Sequence, residues 1–372
     1  MELRLFCTQK EIYKVNLNKD IVRKHNLFEK YKDKCIDLLP KYNLSLESGE
    51  YTASLHDKLL NLVDTNDLKF YKAKPRGNLI SCKYISSKID EMVETKLSIL
   101  RYKYSIKDLT LHIIRTEFSD DSVSFISSIQ KKLTKLGIGY DIIDIKNFED
   151  LSIYIDSNIY SKNPFIVVKP LSEIFSNNLD DMVNEFRVLD NYIERDIDCF
   201  TEINSSIRLE DALTSNVPTA VASVIEILKE FNISTKDYMH VCVLGQSKHL
   251  GRQMANIMEY NKFPTYTANS RTSKHIKEAL FFSSDIVISM TGSKDICKMF
   301  NKYSVSTSDT LYKHMIIDVG IVKENDKIRG DIPDDIKAQY TIYNKVPGGV
   351  GLIDTSILAL RVVKSYYIQN IK

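Results

Sequence analysis

A chain of 372 residues with 43% apolar side chains is long enough for two or three domains, each with its own core. Its 51 basic and 49 acidic residues leave a net charge of +2, spread along the chain, which argues against a nucleic-acid or other polyanion binder. No stretch approaches about 18 uncharged apolar residues, so no membrane span is expected, and MELRLFCTQKEIYK has no signal-peptide core. The six cysteines (Cys7, Cys35, Cys82, Cys199, Cys242, Cys297) are far apart and form no CxxC, which reads as reduced thiols in a non-secreted, cytoplasmic protein. The seven histidines show neither HExxH nor paired spacing, so no metal site is expected.

Residues 1–76 are polar and rich in Lys and Tyr. Short helical patterns such as DIVRKHNLFEKYKDKCIDLL (20–39) suggest a small helical or partly unstructured extension, closed by the Pro/Gly break AKPRGN (73–78). A βα rhythm then begins. ISSKIDEMVETKLSIL (85–100) puts Ile85, Ile89, Met92, Val93 and Leu100 on one helical face. LTLHII (109–114) reads as a strand, SFISSIQKKLTKLGI as a helix ending at Gly137, YDIIDI (140–145) as a strand, FEDLSIYIDSN (148–158) as a helix and PFIVV (164–168) as a strand. Such alternation predicts a parallel sheet covered on its faces. A second α/β unit starts with the helix VPTAVASVIEILKEFNI (217–233). It continues through the strand HVCVLG (240–245), the helix LGRQMANIMEYN, and the strands TYT (265–267), DIVISM (285–290) and MIIDV (315–319).

Turns at the carboxyl ends of these strands are where doubly wound nucleotide-binding domains hold ligands. GQSKHLG (245–251) offers a tight strand exit at Gly245, a hydroxyl at Ser247, and a helix N-terminus suited to a phosphate; an ordinary strand-to-helix turn fits equally well. NSRTSK (269–274) either meets the ribose end of a dinucleotide or is a solvated capping turn. SMTGS (289–293) and IDVGI (317–321) end two further strands. KVPGGVGLIDTSIL (345–358) packs three glycines into four positions of a chain that has only 12. Glycine belongs where φ is positive or where something must approach bare backbone.

Taken in order, VPTAVAS, VLGQSKHLGRQM, NSRT, DIVISMTGS, IIDVGI, GDI and VPGGVG make the chain, from about Leu79 onward, resemble the bifunctional methylenetetrahydrofolate dehydrogenase/methenyltetrahydrofolate cyclohydrolase family. The resemblance implies an α/β two-domain cleft protein. It would comprise an N-terminal α/β catalytic-type domain (77–215), a C-terminal Rossmann-like nucleotide-binding domain (216–345), and a loop and helix (346–372) returning to the first domain, all after the unmatched extension 1–76. It also implies an oxidoreductase acting on the CH–NH group with NADP, NAD being the other option, together with a cyclic-amidine hydrolase activity. The expected partners are tetrahydrofolate derivatives and a second copy in a homodimer. Carried over residue by residue, Gly245, Gln246, Ser247, Ser270, Arg271 and Ile321 fall on the cofactor site. Phe125, Asp198, Pro347, Gly348 and Gly349 fall on the folate site.

The departures concern proton chemistry. The family's catalytic helix carries S-x-x-Y-x-x-x-K; counted back from Gly137, Ser122 matches, but the tyrosine and lysine positions are Phe125 and Ile129. The glutamine that orients the lysine falls on Val168, so no catalytic residue of the family pattern remains. Ile126, Ile129, Leu133 and Leu136 form an apolar row that reads as core, and Lys132 would reach the cleft only on a rotated helix. Gln246 replaces an arginine that reads the 2′-phosphate, with Arg271 available to compensate, and Asp354 replaces a threonine. Hydride transfer depends chiefly on placing two rings and survives such losses; cyclohydrolysis needs an acid–base group. The alternative is a degenerate pseudoenzyme acting through binding. If the scaffold binds folate, Phe125→Tyr with Ile129→Lys is expected to raise hydrolysis.

Overall fold

The computed structural model describes residues 2–6, 12–17, 68–72, 78–168 (apart from 107, 117, 147 and 159), 194–199, 204–233, 239–293, 315–324, 327–337, 340 and 342–371. The chain divides into two compact units. One comprises 1–78, 304–315 and 335–343; the other comprises 79–303, 316–334 and 344–372.

In the first unit, β1 (Glu2–Phe6), β2 (Ile12–Leu17) and β3 (Leu68–Lys72) form an antiparallel sheet, with Leu3 opposite Val15 and Val15 opposite Phe70. The extension thus contains three strands, which the expectation of a small helical or partly unstructured segment did not include. ELRLF, IYKVNL and LKFYK alternate apolar and polar residues at the strand period, and the third finds its partner some fifty residues along the chain. The predicted helical stretch 20–39 lies outside the described residues.

The second unit begins with helix α1 (Cys82–Lys103), whose buried face is Cys82, Ile85, Ser86, Ile89, Asp90, Val93, Leu97 and Leu100. Met92, expected on that face, is 41% exposed; Leu97 takes the place in the core. Strand β4 (Thr110–Arg115) pairs in parallel with β5 (Gly139–Asp144) and with β6 (Phe165–Val168), setting Ile113 beside Ile142 and Ile166. Between β4 and β5 runs α2 (Asp120–Leu136). Ser119 caps its start by accepting from the Ser122 N–H. Gly137, at φ 69°, closes its end, where the Ile138 N–H donates to the Leu133 carbonyl. Helix α3 (Phe148–Ser157) links β5 to β6.

Helix α4 (Thr219–Glu230) leads into β7 (Val241–Leu244), α5 (Gly251–Tyr260), β8 (Thr265–Ala268), α6 (Lys274–Ser283) and β9 (Ile286–Ser289). They are followed by β10 (Met315–Asp318) and the hairpin of β11 (Val322–Glu324) and β12 (Lys327–Arg329). The order β10–β9–β7–β8, with β7 parallel to both β9 and β8, is that of a doubly wound sheet. All four residues of β7, of β9 and of β10 are buried, as strands covered on both faces must be.

The closing helix α7 (Val350–Ile371) packs against α1, α4 and α2 and is buried continuously from Ile353 to Val363. Inside its run ILALRVV sits Arg361, 5% exposed. Its guanidinium donates to the carbonyls of Ile197, Val217, Ala212 and Ser215. A buried charge is tolerated only when so bonded, and these bonds tie the segments before α4 to α7.

Cys82, Cys199 and Cys242 are free and buried, and burial pushes the thiols of Cys82 and Cys242 up to about 12. The other three cysteines lie outside the described residues. Among the described residues no helix is long and apolar enough to cross a membrane, and no three His, Cys, Asp or Glu side chains are grouped to hold a metal.

Candidate functional site

A cavity of about 690 Å³ opens at the carboxyl ends of β7, β8 and β9. Gly245, Gln246 and Ser247 line it from the first turn, and Asn269, Ser270 and Arg271 from the second. Local geometry explains the first turn. Gly245 adopts φ +96°, and a Cβ there would stand 2.6 Å from the Met290 carbonyl oxygen. At Gly251 a Cβ would stand 2.0 Å from the Gly245 carbonyl oxygen, so only glycine lets α5 begin against the strand exit. The Ser247 hydroxyl accepts from the Leu250 N–H at 3.3 Å. In the second turn the Asn269 side-chain carbonyl accepts the Arg271 N–H at 2.9 Å, which fixes the loop without consuming the Arg271 guanidinium.

Arg252, Arg271, Lys274 and Lys277 also line this cavity, so among the described residues its lining holds four cations and no acidic side chain. The volume is that of a ligand site, and the charge is that of a phosphate site. Five expected cofactor residues meet here: Gly245, Gln246, Ser247, Ser270 and Arg271. Ile321 is not in the lining. It is 46% exposed, and its carbonyl oxygen lies 3.8 Å from where a Gly292 Cβ would be, beside the rim residues Thr291 and Ser293.

SMTGS, IDVGI and GDI meet for a reason that their separate spacing did not reveal. Asp331, fully buried, accepts from the Ser289 hydroxyl and from the N–H groups of Thr291 and Ser293. Asp318, also fully buried, accepts from the N–H groups of Asp331 and Ile332. Cβ atoms on Gly320 and Gly330 would stand 2.1 and 2.0 Å from these two carboxylates. The glycines of these motifs therefore make room for two buried aspartates that shape the cavity rim.

In the N-terminal half, Phe125 is half-buried and Ile129 only 1% exposed, in the core with Ile126 and Leu133. Val168 is buried on β6, its carbonyl accepting from the Thr116 hydroxyl. Lys132 does not take over the missing amine's place. Its Nζ donates to both Asp90 carboxylate oxygens at 2.9 and 2.8 Å, to Ser86 at 3.1 Å and to Ser356 at 2.8 Å, tying α2 to α1 and α7. The sequence reading missed this quartet, whose signal was two serines and an aspartate on otherwise apolar helix faces.

Asp198 stands in the segment before α4. Its Oδ1 accepts from the Thr219 N–H at 2.8 Å and the Thr219 hydroxyl at 2.7 Å. His249, from the GQSKHLG turn, feels the same carboxylate: burial lowers its imidazole pKa, and Lys248 adds to that, while the Asp198 charge opposes both. Asp354, four residues past Val350, is buried beside Asp198 and Thr219, and burial followed by the Asp198 charge pushes its carboxyl up to about 7. The first turn, the pre-α4 aspartate and the helix after VPGGVG thus converge around Asp198.

Within VPGGVG, Pro347 and Gly348 are exposed, and the Val346–Pro347 bond is cis. The three glycines divide by cause. Gly348 needs its φ of +86°, and nothing lies within 4 Å of a Cβ there. Gly349 is required by close approach, since its Cβ would stand 2.1 Å from the Lys345 carbonyl oxygen. Gly351 faces open space.

The model of the tetrahydrofolate dehydrogenase/cyclohydrolase NAD(P)-binding domain matches residues 218–370. The bifunctional protein FolD of Clostridioides difficile is 27% identical over 304 residues, covering 80% of this chain and 99% of that protein. The FolD protein of Thermotoga maritima is 27% identical over 291 residues, covering 77% and 97%. Among solved structures, the Trypanosoma brucei methylenetetrahydrofolate dehydrogenase-cyclohydrolase, complexed with NADP and an inhibitor, matches with a TM-score of 0.62 at 19% identity, covering 80% of this chain and all of that one. A methylenetetrahydrofolate dehydrogenase from the silkworm Bombyx mori matches at 0.59 and 24% identity, with 80% and 100% covered. These structural likenesses establish the fold: two-domain α/β with a Rossmann-like half. Residues 218–370 therefore match the NAD(P)-binding domain of the tetrahydrofolate dehydrogenase/cyclohydrolase family, and the chain is similar to bifunctional FolD proteins along 80% of its length.

Proposed function

We propose that the chain is an NADP-dependent methylenetetrahydrofolate dehydrogenase whose cyclohydrolase step is weak or lost. The observation that carries the reading is the cationic cavity at the ends of β7, β8 and β9. Gly245–Ser247 and Ser270 would hold the dinucleotide's phosphates and ribose, and Arg271, with Arg252, Lys274 and Lys277 nearby, its 2′-phosphate. When bound, the nicotinamide supplies the hydride acceptor. The chain's own part is to orient the rings: Asp198 accepts from the pterin's N–H groups, Phe125 offers an apolar wall, and Pro347, Gly348 and Gly349 form a low backbone edge.

The weak hydrolase follows from Ile129 in the core and Lys132 locked to Asp90, which leave no lysine amine at the matched position. The division into 77–215, 216–345 and 346–372, the homodimer and the cytoplasmic location belong to the same proposal; limited proteolysis, sedimentation and cell fractionation test them. The decisive assay follows NADPH formation from methylenetetrahydrofolate and, separately, hydrolysis of methenyltetrahydrofolate by the full chain. Dehydrogenation with little hydrolysis is expected. Absence of both, with no thermal shift on adding NADP or folate, would favour the pseudoenzyme.

A further inference from the structure

The segment that carries Asp198 is held at a backbone angle that its own residues do not favour. Cys199, the next residue, has φ 60° and is buried. That left-handed conformation costs a residue with a Cβ and costs glycine nothing, so contacts elsewhere in the fold must hold it there.

Two anchors do so. On one side the segment is pinned to β6, where the Phe165 N–H donates to the Arg195 carbonyl at 2.8 Å and the Ile197 N–H to the Phe165 carbonyl at 3.2 Å. On the other side stands Arg361 of α7. Its Nη1 donates to the Ile197 carbonyl at 2.9 Å and to the Val217 carbonyl, and Cys199 Sγ lies 3.7 Å from the same nitrogen. Its Nη2 donates to the Ala212 and Ser215 carbonyls at 3.4 and 3.3 Å. One planar fork thus grips the chain just before Asp198 and again just before Thr219. Those two residues aim the carboxylate, because Thr219 donates to Asp198 Oδ1 from both its N–H and its hydroxyl.

We propose that Arg361 is a positioning residue for folate binding: its guanidinium holds Cys199 in the left-handed region and so keeps Asp198 in register with Thr219. Without the fork, residue 199 relaxes to negative φ. The end pinned to β6 stays in place, the Val217 end shifts against it, and the bonds from Thr219 to Asp198 part. The carboxylate then turns away from the ring it would accept from. Strain and clasp form one device, and a glycine at position 199 would need no clasp.

This inference rests on the folate reading of the site, and its test separates the two. Calorimetry on the full chain measures affinity for tetrahydrofolate and for NADP in the wild type, Arg361→Lys, Cys199→Gly and the double variant. Lysine keeps the charge, but its ammonium cannot span the carbonyls that the fork joins. Loss of one charge-assisted bond to the ring predicts about a tenfold fall in tetrahydrofolate affinity, with NADP affinity unchanged. Cys199→Gly alone should bind like the wild type. In the double variant glycine adopts the same φ unaided, so most of the loss should be recovered. A merely structural arginine gives the opposite sign, because glycine then removes the thiol contact, frees the unfolded chain and adds to the defect. Should Arg361→Lys lose NADP binding as well, the mark of a fold defect, Arg361→Gln repeats the comparison with two N–H donors and no charge. An equal loss in single and double variants, or none in either, would overturn the clasp and leave the folate reading standing. No tetrahydrofolate binding by the wild type, with NADP binding intact, would overturn both.

Discussion

Replacing Ile129 with lysine tests whether the catalytic helix is a mutated active site or a repacked core. Ile129 is 1% exposed, between Ile126 and Leu133 on the buried face of α2. Removing the branched side chain from such a place costs about 2–4 kcal/mol in packing. The amine adds a second cost. Burial lowers a lysine pKa by up to about 5 units, each worth about 1.4 kcal/mol at neutral pH. Even two units bring the total to roughly 5 kcal/mol, comparable with the whole margin of a typical domain, about 5–15 kcal/mol. A lysine whose folded pKa is depressed destabilises most below that pKa, and the deficit shrinks as pH rises towards the unfolded value near about 10. Urea midpoints of wild type and variant at neutral and alkaline pH give both numbers. A variant as stable as the wild type at neutral pH would refute the reasoning and show that position 129 opens to a solvated cleft. The double replacement with Phe125→Tyr would then be the proper rescue of hydrolysis. On the present geometry that rescue is expected to fail for want of a folded protein, since the half-buried Phe125 accepts a hydroxyl far more readily than Ile129 accepts an amine.

Three further outcomes are expected. Arg271→Ala should weaken NADP binding about tenfold or more while leaving NAD nearly unchanged, as fluorescence titration of both cofactors would show; equal losses would mean that Arg271 does not meet the 2′-phosphate. Lys132→Met should lower stability by about 2–4 kcal/mol, because it leaves the buried Asp90 carboxylate with only the Ser356 hydroxyl and the longer 3.5 Å contact to Lys135, and a denaturation midpoint close to wild type would show that the pair is solvated. Asp354→Asn should be more stable than the wild type in alkaline solution. The carboxyl is pushed up from 3.8 to about 7, so the folded state keeps a proton that the unfolded chain releases in that window. Wild-type stability is full below the window and falls through it, by up to about 4 kcal/mol; the asparagine variant escapes that fall, and a constant difference across the window would contradict the assignment.

How much of this was legible depended on how local the cause was. The alternation of strands and helices from residue 79 could be read because each element's period lies within its own residues, and the cap at Ser119 and the closing Gly137 are likewise local. The two turns of the nucleotide cavity were legible because strand exit and helix start are adjacent in sequence. Non-local causes stayed hidden. Met92 and Leu97 both fit a helical apolar stripe, and only packing against α7 decides which is buried. The glycines of IDVGI and GDI carry no mark of the carboxylates that would collide with a side chain, because Gly320 answers to Asp331 and Gly330 to Asp318. Lys132, Asp90 and Ser356 come from three separate helices. The extension's sheet depends on a strand more than fifty residues from its partner.

The substitutions are not scattered over the site. Around the nucleotide cavity Gln246 stands where the family resemblance implies an arginine, yet four cations line the space, so on the proposed reading the charge that would retain a dinucleotide phosphate is kept by number. Where the family resemblance implies a phenol, an amine and an amide stand the apolar Phe125, Ile129 and Val168, and the last two are fully packed in the core. Binding a pterin needs a hydrogen-bond acceptor and a flat edge, which under the proposed function Asp198 and the Pro347–Gly348 backbone would provide; moving a proton to and from water needs a titratable group in contact with it. Hydride transfer needs only the first. Under the proposed function, a chain with Ile129 packed in the core and Lys132 held by Asp90 keeps what ring placement needs and has no lysine amine at the matched position for hydrolysis. The two activities would then be separable on one scaffold, since they would draw on different residues.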